Sequence, residues 1–268
     1  MPASPWRLSV KTNILLLGPV GSGKTTSLKT VLSAGKQLFV IALEPGIEHI
    51  LEHGPSCHWH YIPPARTEWP DFIKEADTVN RYSIEQLQKM KQPLRSGYRQ
   101  FIELLETCNN FTCSVCLKSF GDIAAFTDDS VLAVDSMSGL NIMAMDIVAG
   151  GSPIKTLPDY QIAMNNVEKF IQKLAVDTHC SFCLTAHVER EVDEVFGGTK
   201  VTMSTIGRRM SPRLPRFFDE VVLCIRKGEK FLWSTTEPNT DLKNRLLPLS
   251  GEIQPTFTQL FNSEKSNV

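Results

Sequence analysis

The stretch that decides the fold is GPVGSGKTT, at residues 18–26. It fits the pattern G-x-x-x-x-G-K-[ST] in full, from Gly18 to Thr25. Glycines let backbone N–H groups turn inward around phosphate oxygens, because no Cβ stands in the way. Lys24 can reach the β- and γ-phosphates of a nucleotide, and the Thr25 hydroxyl can ligate Mg²⁺. We therefore expect a nucleotide to contact the whole stretch: Gly18, Pro19, Val20, Gly21, Ser22, Gly23, Lys24, Thr25 and Thr26.

The residues on either side of this stretch fit a strand–loop–helix unit. The mostly apolar run from Asn13 to Leu17 predicts a buried strand, and residues 24–34 predict a helix. Such a helix points its positive N-terminal end at a bound anion. This context favours a phosphate-binding loop over a chance glycine-rich turn.

Further apolar runs predict an α/β fold around this unit. Continuous apolar strands separated by helices, such as the predicted helix 158–178, are typical of a mostly parallel sheet with both faces covered. We expect one domain over 1–268, with an insertion or small subdomain at 55–120 between the second and third strands. Within it, residues 83–106 look helical, with an interruption at Pro93. The predicted strands are 13–17, 38–43, 131–134, 181–185, 220–225 and 231–234.

The composition limits the classes of protein to consider. The chain has 268 residues, and the 42% that are hydrophobic suffice for a core and argue against disorder. Lys and Arg number 28 against 29 Asp and Glu, which excludes coating nucleic acid by bulk charge but not a local basic patch. No apolar run approaches the ~18 residues of a membrane-spanning helix, and the first residues lack a secretory signal pattern. We expect a cytoplasmic protein without a membrane partner.

A second part of the nucleotide site is predicted at Asp135. This residue follows the apolar run 131–134. The carboxyl ends of parallel strands meet at one edge of a sheet, where the phosphate loop also lies. The Asp135 carboxylate would there hold Mg²⁺ together with Thr25. The alternative is that Asp135 caps the helix that follows it.

Three stretches together resemble the core of RecA-like ATPases: GPVGSGKTT, LFVIALEPG at 38–46 and VLAVDSMSGL at 131–140. PRFFDEVVLCIRKG (215–228) and TDLKNRLLPL (240–249) are more closely similar to small phage-type RecA-like ATPases of single-strand annealing and recombination. The resemblance covers 12–46, 131–146 and 181–250, and it does not cover 55–120. It implies an ATPase that acts on single-stranded DNA and self-associates into a ring or filament, with a single-strand-binding protein as a further candidate partner. If the chain is phage-encoded, its location would be the cytoplasm of a bacterial host.

The resemblance also implies roles for residues at matching positions. Glu44 would be the general base that activates the attacking water, and a glutamate in an ordinary Pro-Gly turn is the alternative. His187 stands where the family carries a polar sensor of the γ-phosphate, often Gln. Because His departs from that pattern, a locally bonded histidine is equally open. Lys243 and Arg245 would reach the γ-phosphate bound by a neighbouring subunit, and two ordinary surface cations are the alternative.

A basic segment follows His187. Residues 198–216 contain five cations and no acid, and glycines interrupt them. The segment stands at the position of the second DNA-binding loop of RecA-like proteins, so we expect contacts to the backbone of single-stranded DNA. A solvated basic face or packing against another subunit is the alternative. The candidate DNA contacts are Lys200, Arg208, Arg209, Arg213 and Arg216.

The pair Cys113 and Cys116 has the C-x-x-C spacing of half a zinc knuckle. A zinc site needs four ligands, and Cys108 is the next candidate upstream. The remaining ligands could come from Cys57, His58 and His60. Reduced structural cysteines are the alternative to a structural Zn²⁺ ion.

Two other functions share the phosphate loop. A nucleotide or small-molecule kinase would add an acceptor pocket, and a switch-type NTPase would act through a protein partner. The Asp135-Ser136 strand end and the pair Lys243 and Arg245 favour the RecA-like interpretation. ATP is favoured over GTP because no guanine-reading N-K-x-D stands where it is expected.

Overall fold

A central sheet of eight strands organises the protein. The computed structural model describes residues 11–65, 68–90, 97–150, 152–192 and 197–261. The strands of these residues are β1 (Ile14–Leu17), β2 (Gln37–Ala42), β3 (Cys57–Tyr61), β4 (Phe111–Thr112), β5 (Ser119–Gly121), β6 (Ser130–Asp135), β7 (Ser181–Ala186), β8 (Val188–Val192), β9 (Thr199–Met203), β10 (Glu220–Lys227), β11 (Lys230–Ser234) and β12 (Glu252–Ile253).

The strand order of the central sheet is β12-β11-β10-β1-β7-β6-β2-β3. Strands β10 to β3 in this order are parallel, and β11 and β12 add to the β10 edge antiparallel. Strands β4 and β5 form one separate hairpin, and β8 and β9 form another. The predicted α/β class, a mostly parallel sheet flanked by helices, is confirmed.

Helices cover both faces of the sheet. They are α1 (Lys24–Ser27), α2 (Thr30–Ser33), α3 (Ile47–Ile50), α4 (Trp69–Arg81), α5 (Ile84–Lys89), α6 (Gln100–Asn109), α7 (Met137–Ala149), α8 (Leu157–Asp177) and α9 (Thr258–Phe261). Successive side chains of a strand point to opposite faces. Accordingly Leu15 and Leu17 of β1 belong to one apolar core cluster, and Ile14 and Leu16 belong to the other. A strand buried on both faces must be apolar throughout, which is why the sequence of β1 shows no alternation.

Helix α8 shows how local sequence fixes one of these layers. It begins with a capping box, in which the Thr156 N–H donates to Asp159 Oδ2 at 2.8 Å. Its buried face packs Val167, Ile171 and Leu174 into the same core cluster as Leu15. The helix therefore starts where a cap is available and lies where its apolar stripe is covered.

The segment predicted as an insertion, 55–120, contributes a strand to the central sheet. Residues Cys57–Tyr61 form β3, which pairs parallel to β2 from Leu38 opposite Cys57 to Ala42 opposite Tyr61. Helix α6 then packs Phe101 and Leu104 into the main core, so this part of the chain lies on the sheet. The interruption predicted at Pro93 lies outside the described residues.

Because of the strand order, four loops begin at the same edge of the sheet. Parallel strands β1, β7, β6 and β2 are consecutive neighbours, so their carboxyl ends lie side by side. The residues that follow these ends include Gly18, His187, Ser136 and Glu44. This edge is where ligands bind in open α/β sheets.

Among the residues that the structure describes, none of the helices combines the length and the apolar character needed to span a membrane.

Candidate nucleotide-binding site

The phosphate loop turns tightly between β1 and α1. Gly21 and Gly23 adopt φ values of 72° and 87°, which side chains with a Cβ rarely reach. At Gly18 a Cβ would lie 2.5 Å from Ser22 Oγ and 2.6 Å from the Cys224 carbonyl oxygen. The glycines of the motif therefore meet two separate needs, a left-handed backbone and a close approach to β10.

Lys24 lies buried beneath this loop. Its Nζ donates to the carbonyl oxygens of Gly18 at 2.8 Å and Pro19 at 2.9 Å. Burial lowers the pKa of Lys24, and the negative charges that Cys224, Asp135 and Glu44 can carry oppose this shift. The ammonium group is thus held at the centre of the loop, where a phosphate oxygen could replace the two carbonyls.

Asp135 accepts hydrogen bonds at both carboxylate oxygens. Thr25 Oγ1 donates to Oδ2 at 2.8 Å, and Thr185 Oγ1 of β7 donates to Oδ1. Burial raises the pKa of this carboxyl, while the bonds from Thr185 and Thr25 lower it. Mg²⁺ prefers carboxylate and hydroxyl oxygens, so the Thr25–Asp135 pair fits that ion. The sequence predicted this pair but assigned no role to Thr185.

Glu44 follows β2 and reaches the same place. The Ser136 hydroxyl donates to Glu44 Oε1, and the Leu43 N–H donates to the Asp135 carbonyl oxygen at 2.7 Å. Helix α7 can approach this turn closely because Gly139 has no Cβ, whereas any other residue would place a Cβ 2.5 Å from Leu43 Cβ. The Glu44 carboxylate is therefore oriented by Ser136, a contact that the sequence analysis did not identify.

These side chains enclose a single pocket of about 310 Å³. His187 also faces it, with Nδ1 at 3.3 Å from Lys24 Nζ. The structure thus brings the predicted loop, metal and base residues together. The lining residues are Val20, Gly21, Ser22, Gly23, Lys24, Thr25, Thr26, Glu44, Pro45, Gly46, Ile47, Ile50, Asp135, Ser136 and His187.

A family model described as an AAA domain matches residues 10–246. The chain belongs to this AAA domain family. The matched range contains every residue of the pocket, and the family is one of P-loop ATPases. ATP binding and hydrolysis are therefore the activity class of the AAA domain. The finer resemblance to phage-type RecA-like ATPases stays a prediction, and no curated protein sequence matches the chain.

Two predicted cations of the AAA domain lie away from its pocket. Lys243 pairs through its backbone with Val221, near the amino-terminal end of β10, and its Nζ donates to the Phe218 carbonyl oxygen. Arg245 Nη1 donates to Asp219 Oδ1 at 2.6 Å. The phosphate loop follows the carboxyl end of β1, so these cations lie towards the opposite edge of the sheet. Their action on a neighbouring subunit stays a prediction.

The basic segment of the AAA domain is structured and largely ion-paired. It begins with β9, the second strand of the hairpin that follows His187, and its cations meet acids from other parts of the chain. Arg209 has no ion-pair partner among the described residues. The pairs are Lys200 with Asp241 at 2.7 Å, Arg208 with Glu191 at 3.5 Å, and Arg213 and Arg216 with Glu168 at 3.8 and 2.5 Å. The local excess of positive charge in the sequence is therefore partly offset in the fold.

The predicted zinc ligands of the AAA domain separate into two sets. Cys113, Cys116 and His58 come together, and His53 joins them. Cys108 lies elsewhere on α6, and burial raises the pKa of its thiol to about 12. The other two candidates, Cys57 and His60, lie outside this group, and His60 Nδ1 is 2.6 Å from the Thr112 carbonyl oxygen. His53 was not predicted from the sequence, where its H-x₄-H spacing with His58 is the feature that identifies it as a candidate ligand.

Proposed function

We propose that this AAA domain hydrolyses Mg²⁺-bound ATP in the pocket and couples hydrolysis to single-stranded DNA. The observation that carries the proposal is the convergence of Lys24, the Thr25–Asp135 oxygen pair and Glu44 in one pocket. A phosphate-binding lysine, a metal-binding oxygen pair and a carboxylate base are the parts that phosphoryl transfer to water requires.

Binding would begin with the backbone N–H groups of the phosphate loop. Lys24 would exchange the carbonyl oxygens of Gly18 and Pro19 for oxygens of the β- and γ-phosphates. Thr25 and Asp135 would hold Mg²⁺, whose charge offsets that of the phosphates. Thr25 would ligate the metal with its hydroxyl oxygen, and Asp135 would hold it through a water molecule.

Hydrolysis would depend on Glu44. Its carboxylate, oriented by Ser136, would accept a proton from the water that attacks the γ-phosphate. Fixing a base before the reaction reduces the reorganisation needed during it. Lys24 would stabilise the charge on the phosphate oxygens at the same time.

His187 supports coupling between the pocket and the basic segment. His187 Nδ1 is 3.3 Å from Lys24 Nζ. The His187 carbonyl oxygen accepts from the Ser204 N–H at 2.8 Å, at the base of the β8–β9 hairpin. A change at the γ-phosphate could therefore reach the hairpin through one residue. This is the sensor role implied by the RecA-like resemblance.

The ion pairs of the basic segment do not oppose DNA binding. Exposed ion pairs contribute only about 0–1 kcal/mol each, so DNA phosphates can compete for Arg208, Arg213 and Arg216. Arg209 offers a further cation. In an assembled ring or filament, Lys243 and Arg245 would act on the neighbouring pocket, and a single-strand-binding protein would be a candidate partner.

The test is ATP hydrolysis measured with and without single-stranded DNA. We expect the wild type to hydrolyse ATP faster with DNA, and Lys24→Ala to lose nucleotide binding. DNA binding should weaken linearly with the logarithm of salt concentration. Hydrolysis without salt-sensitive DNA binding would refute the DNA part alone. Phosphate transfer to a small acceptor without DNA stimulation would instead establish the kinase alternative.

A further inference from the structure

A second group of polar side chains lies at the β3 edge of the sheet, outside the nucleotide pocket. It consists of His53, His58, Cys113 and Cys116, whose ligand atoms all lie within 4.8 Å of one another. The histidines belong to the segment that enters β3, and the cysteines belong to the turn between β4 and β5. The fold therefore brings together four metal-ligating side chains from distant parts of the chain.

The spacing within each half of the group is that of a zinc site. His53 and His58 form H-x₄-H, and Cys113 and Cys116 form C-x₂-C. Both spacings fall within those of structural sites with two cysteine and two histidine ligands. Zinc bonds of ~2.0–2.3 Å in a tetrahedron place ligand atoms about 3.3–3.8 Å apart, so the side chains need to close by about 1 Å.

The turn that carries the cysteines is already shaped around one sulfur. The backbone N–H groups of Val115 and Cys116 face the Cys113 sulfur. The Leu117 N–H donates to the Cys113 carbonyl oxygen at 3.0 Å, and Leu117 itself adopts a φ of 58°, which is uncommon for leucine. N–H groups around a cysteine sulfur fix its position, as the surroundings of a metal ligand do.

The turn is also attached to β3 independently of any metal. The Ser114 N–H donates to the Trp59 carbonyl oxygen at 2.8 Å, and Ser114 Oγ accepts from the Tyr61 N–H at 3.1 Å. These contacts fix where the two cysteines stand relative to His58. The site is therefore preformed by β-strand geometry.

The two histidines have a free ring nitrogen where a metal needs one. His58 Nε2 lies 3.2 Å from the Pro55 carbonyl oxygen, which can only accept, so Nε2 carries the proton and Nδ1 keeps its lone pair. That Nδ1 lies 3.8 Å from Cys116 Sγ. His53 Nε2 is buried without a hydrogen-bond partner among the described residues. This nitrogen is therefore open to a ligand, and it belongs to a side chain of the four-residue group.

We propose that His53, His58, Cys113 and Cys116 bind a structural Zn²⁺ ion that fastens the β4–β5 turn to β3. Two imidazoles and two thiolates fill a tetrahedral site and leave no open position for a substrate. The two thiol protons are released to solvent when the ion binds. Cys108, which the sequence suggested as a ligand, takes no part.

The first experiment measures zinc in the full-length protein by mass spectrometry of the metal. We expect about one zinc ion per chain. After removal of zinc by a chelator, Co²⁺ should bind in its place and give the visible absorption bands of tetrahedral coordination and the charge-transfer bands of thiolate. A wild-type protein that contains no zinc, and that after treatment takes up neither Zn²⁺ nor Co²⁺, would refute the proposal.

The second experiment compares two cysteine variants. Cys116→Ala removes a ligand at an exposed position, so the core should survive, and we expect it to lose stoichiometric zinc and the thiolate bands. Cys108→Ala removes a cysteine from the same part of the chain but outside the group, so we expect it to keep both. Equal zinc content in the two variants would contradict the assigned ligand set. Nucleotide binding reports on folding in each variant, because the nucleotide pocket is separate.

Discussion

At the scale of single residues, the Asp135 carboxylate combines partial burial with hydrogen bonds from Thr25 and Thr185. Burial raises its pKa. An acid whose pKa is raised by folding stabilises the fold below its unfolded pKa, and that stabilisation is lost as pH rises towards the folded pKa. Ionisation of the carboxylate therefore disfavours the metal-free fold, although the same charge is what Mg²⁺ requires.

Asp135→Asn should accordingly separate stability from binding. Without Mg²⁺ at neutral pH, we expect its free energy of unfolding to equal or exceed that of the wild type, and the difference to shrink as pH falls through the raised pKa. Nucleotide affinity in the presence of Mg²⁺ should fall about 10-fold or more. Chemical denaturation and nucleotide titration measure the two effects. Asp129→Asn, at an exposed carboxylate, is the control, and a clearly less stable Asp135→Asn protein would contradict the argument.

Glu44→Gln tests the proposed base. The amide can still accept from Ser136 but cannot take a proton from water, so we expect hydrolysis to fall by about 10²-fold or more while nucleotide binding persists. Phosphate release and nucleotide titration give the two readouts. Glu48→Gln, at an exposed glutamate of α3, should leave both unchanged. Hydrolysis that survives Glu44→Gln would assign activation of water to another group.

At the scale of elements, the basic segment joins the nucleotide pocket to the surface through His187 and the β8–β9 hairpin. The double variant Arg208→Ala/Arg209→Ala should weaken single-stranded DNA binding and reduce the slope of log affinity against log salt by about 1–2. Fluorescence anisotropy at several salt concentrations measures this slope. The double variant Lys169→Ala/Lys173→Ala on α8 removes the same charge and one exposed ion pair. An equal effect of the two double variants would point to general electrostatics instead of a DNA site.

The sequence predicted those strands that are buried on both faces, because such strands are continuously apolar. It missed β3, whose residues CHWHY include two histidines and lie at the sheet edge. It also missed α4, although Trp69, Phe72 and Ile73 recur there at helical spacing; these side chains are exposed, and the helix buries none of its residues. A strand at the margin of the core lacks the continuous apolar run that identifies a strand buried on both faces.

The same distinction applies to the site. Gly18, Glu44 and Asp135 could be placed from sequence because each follows an apolar strand, and parallel strands end at one edge. The contribution of Ser136 and Thr185 depends on side-chain contacts between neighbouring strands. Those contacts are set by the strand order, and short-range patterns do not reveal that order.

At the scale of the whole molecule, Lys243 and Arg245 lie towards the sheet edge opposite the pocket. If they act between subunits, a protein with a defective pocket and intact cations should restore the activity of a protein with an intact pocket and a missing cation. We therefore expect a mixture of Lys24→Ala and Arg245→Ala proteins to hydrolyse ATP faster than the sum of the two alone. A mixture of Lys24→Ala and Asp135→Asn, both defective in the pocket, is the control. No recovery in the first mixture would contradict action between subunits.

The turn that carries Ser114 lies along the outer edge of β3 and occupies the Trp59 carbonyl and the Tyr61 N–H. An exposed edge with unpaired backbone groups invites a strand from another molecule, and this is a common route to aggregation. At the other end of the sheet, β12 has only two residues. Among the described residues, both ends of the central sheet are therefore poor templates for strand addition, which favours helices and loops as the surfaces of any ring or filament.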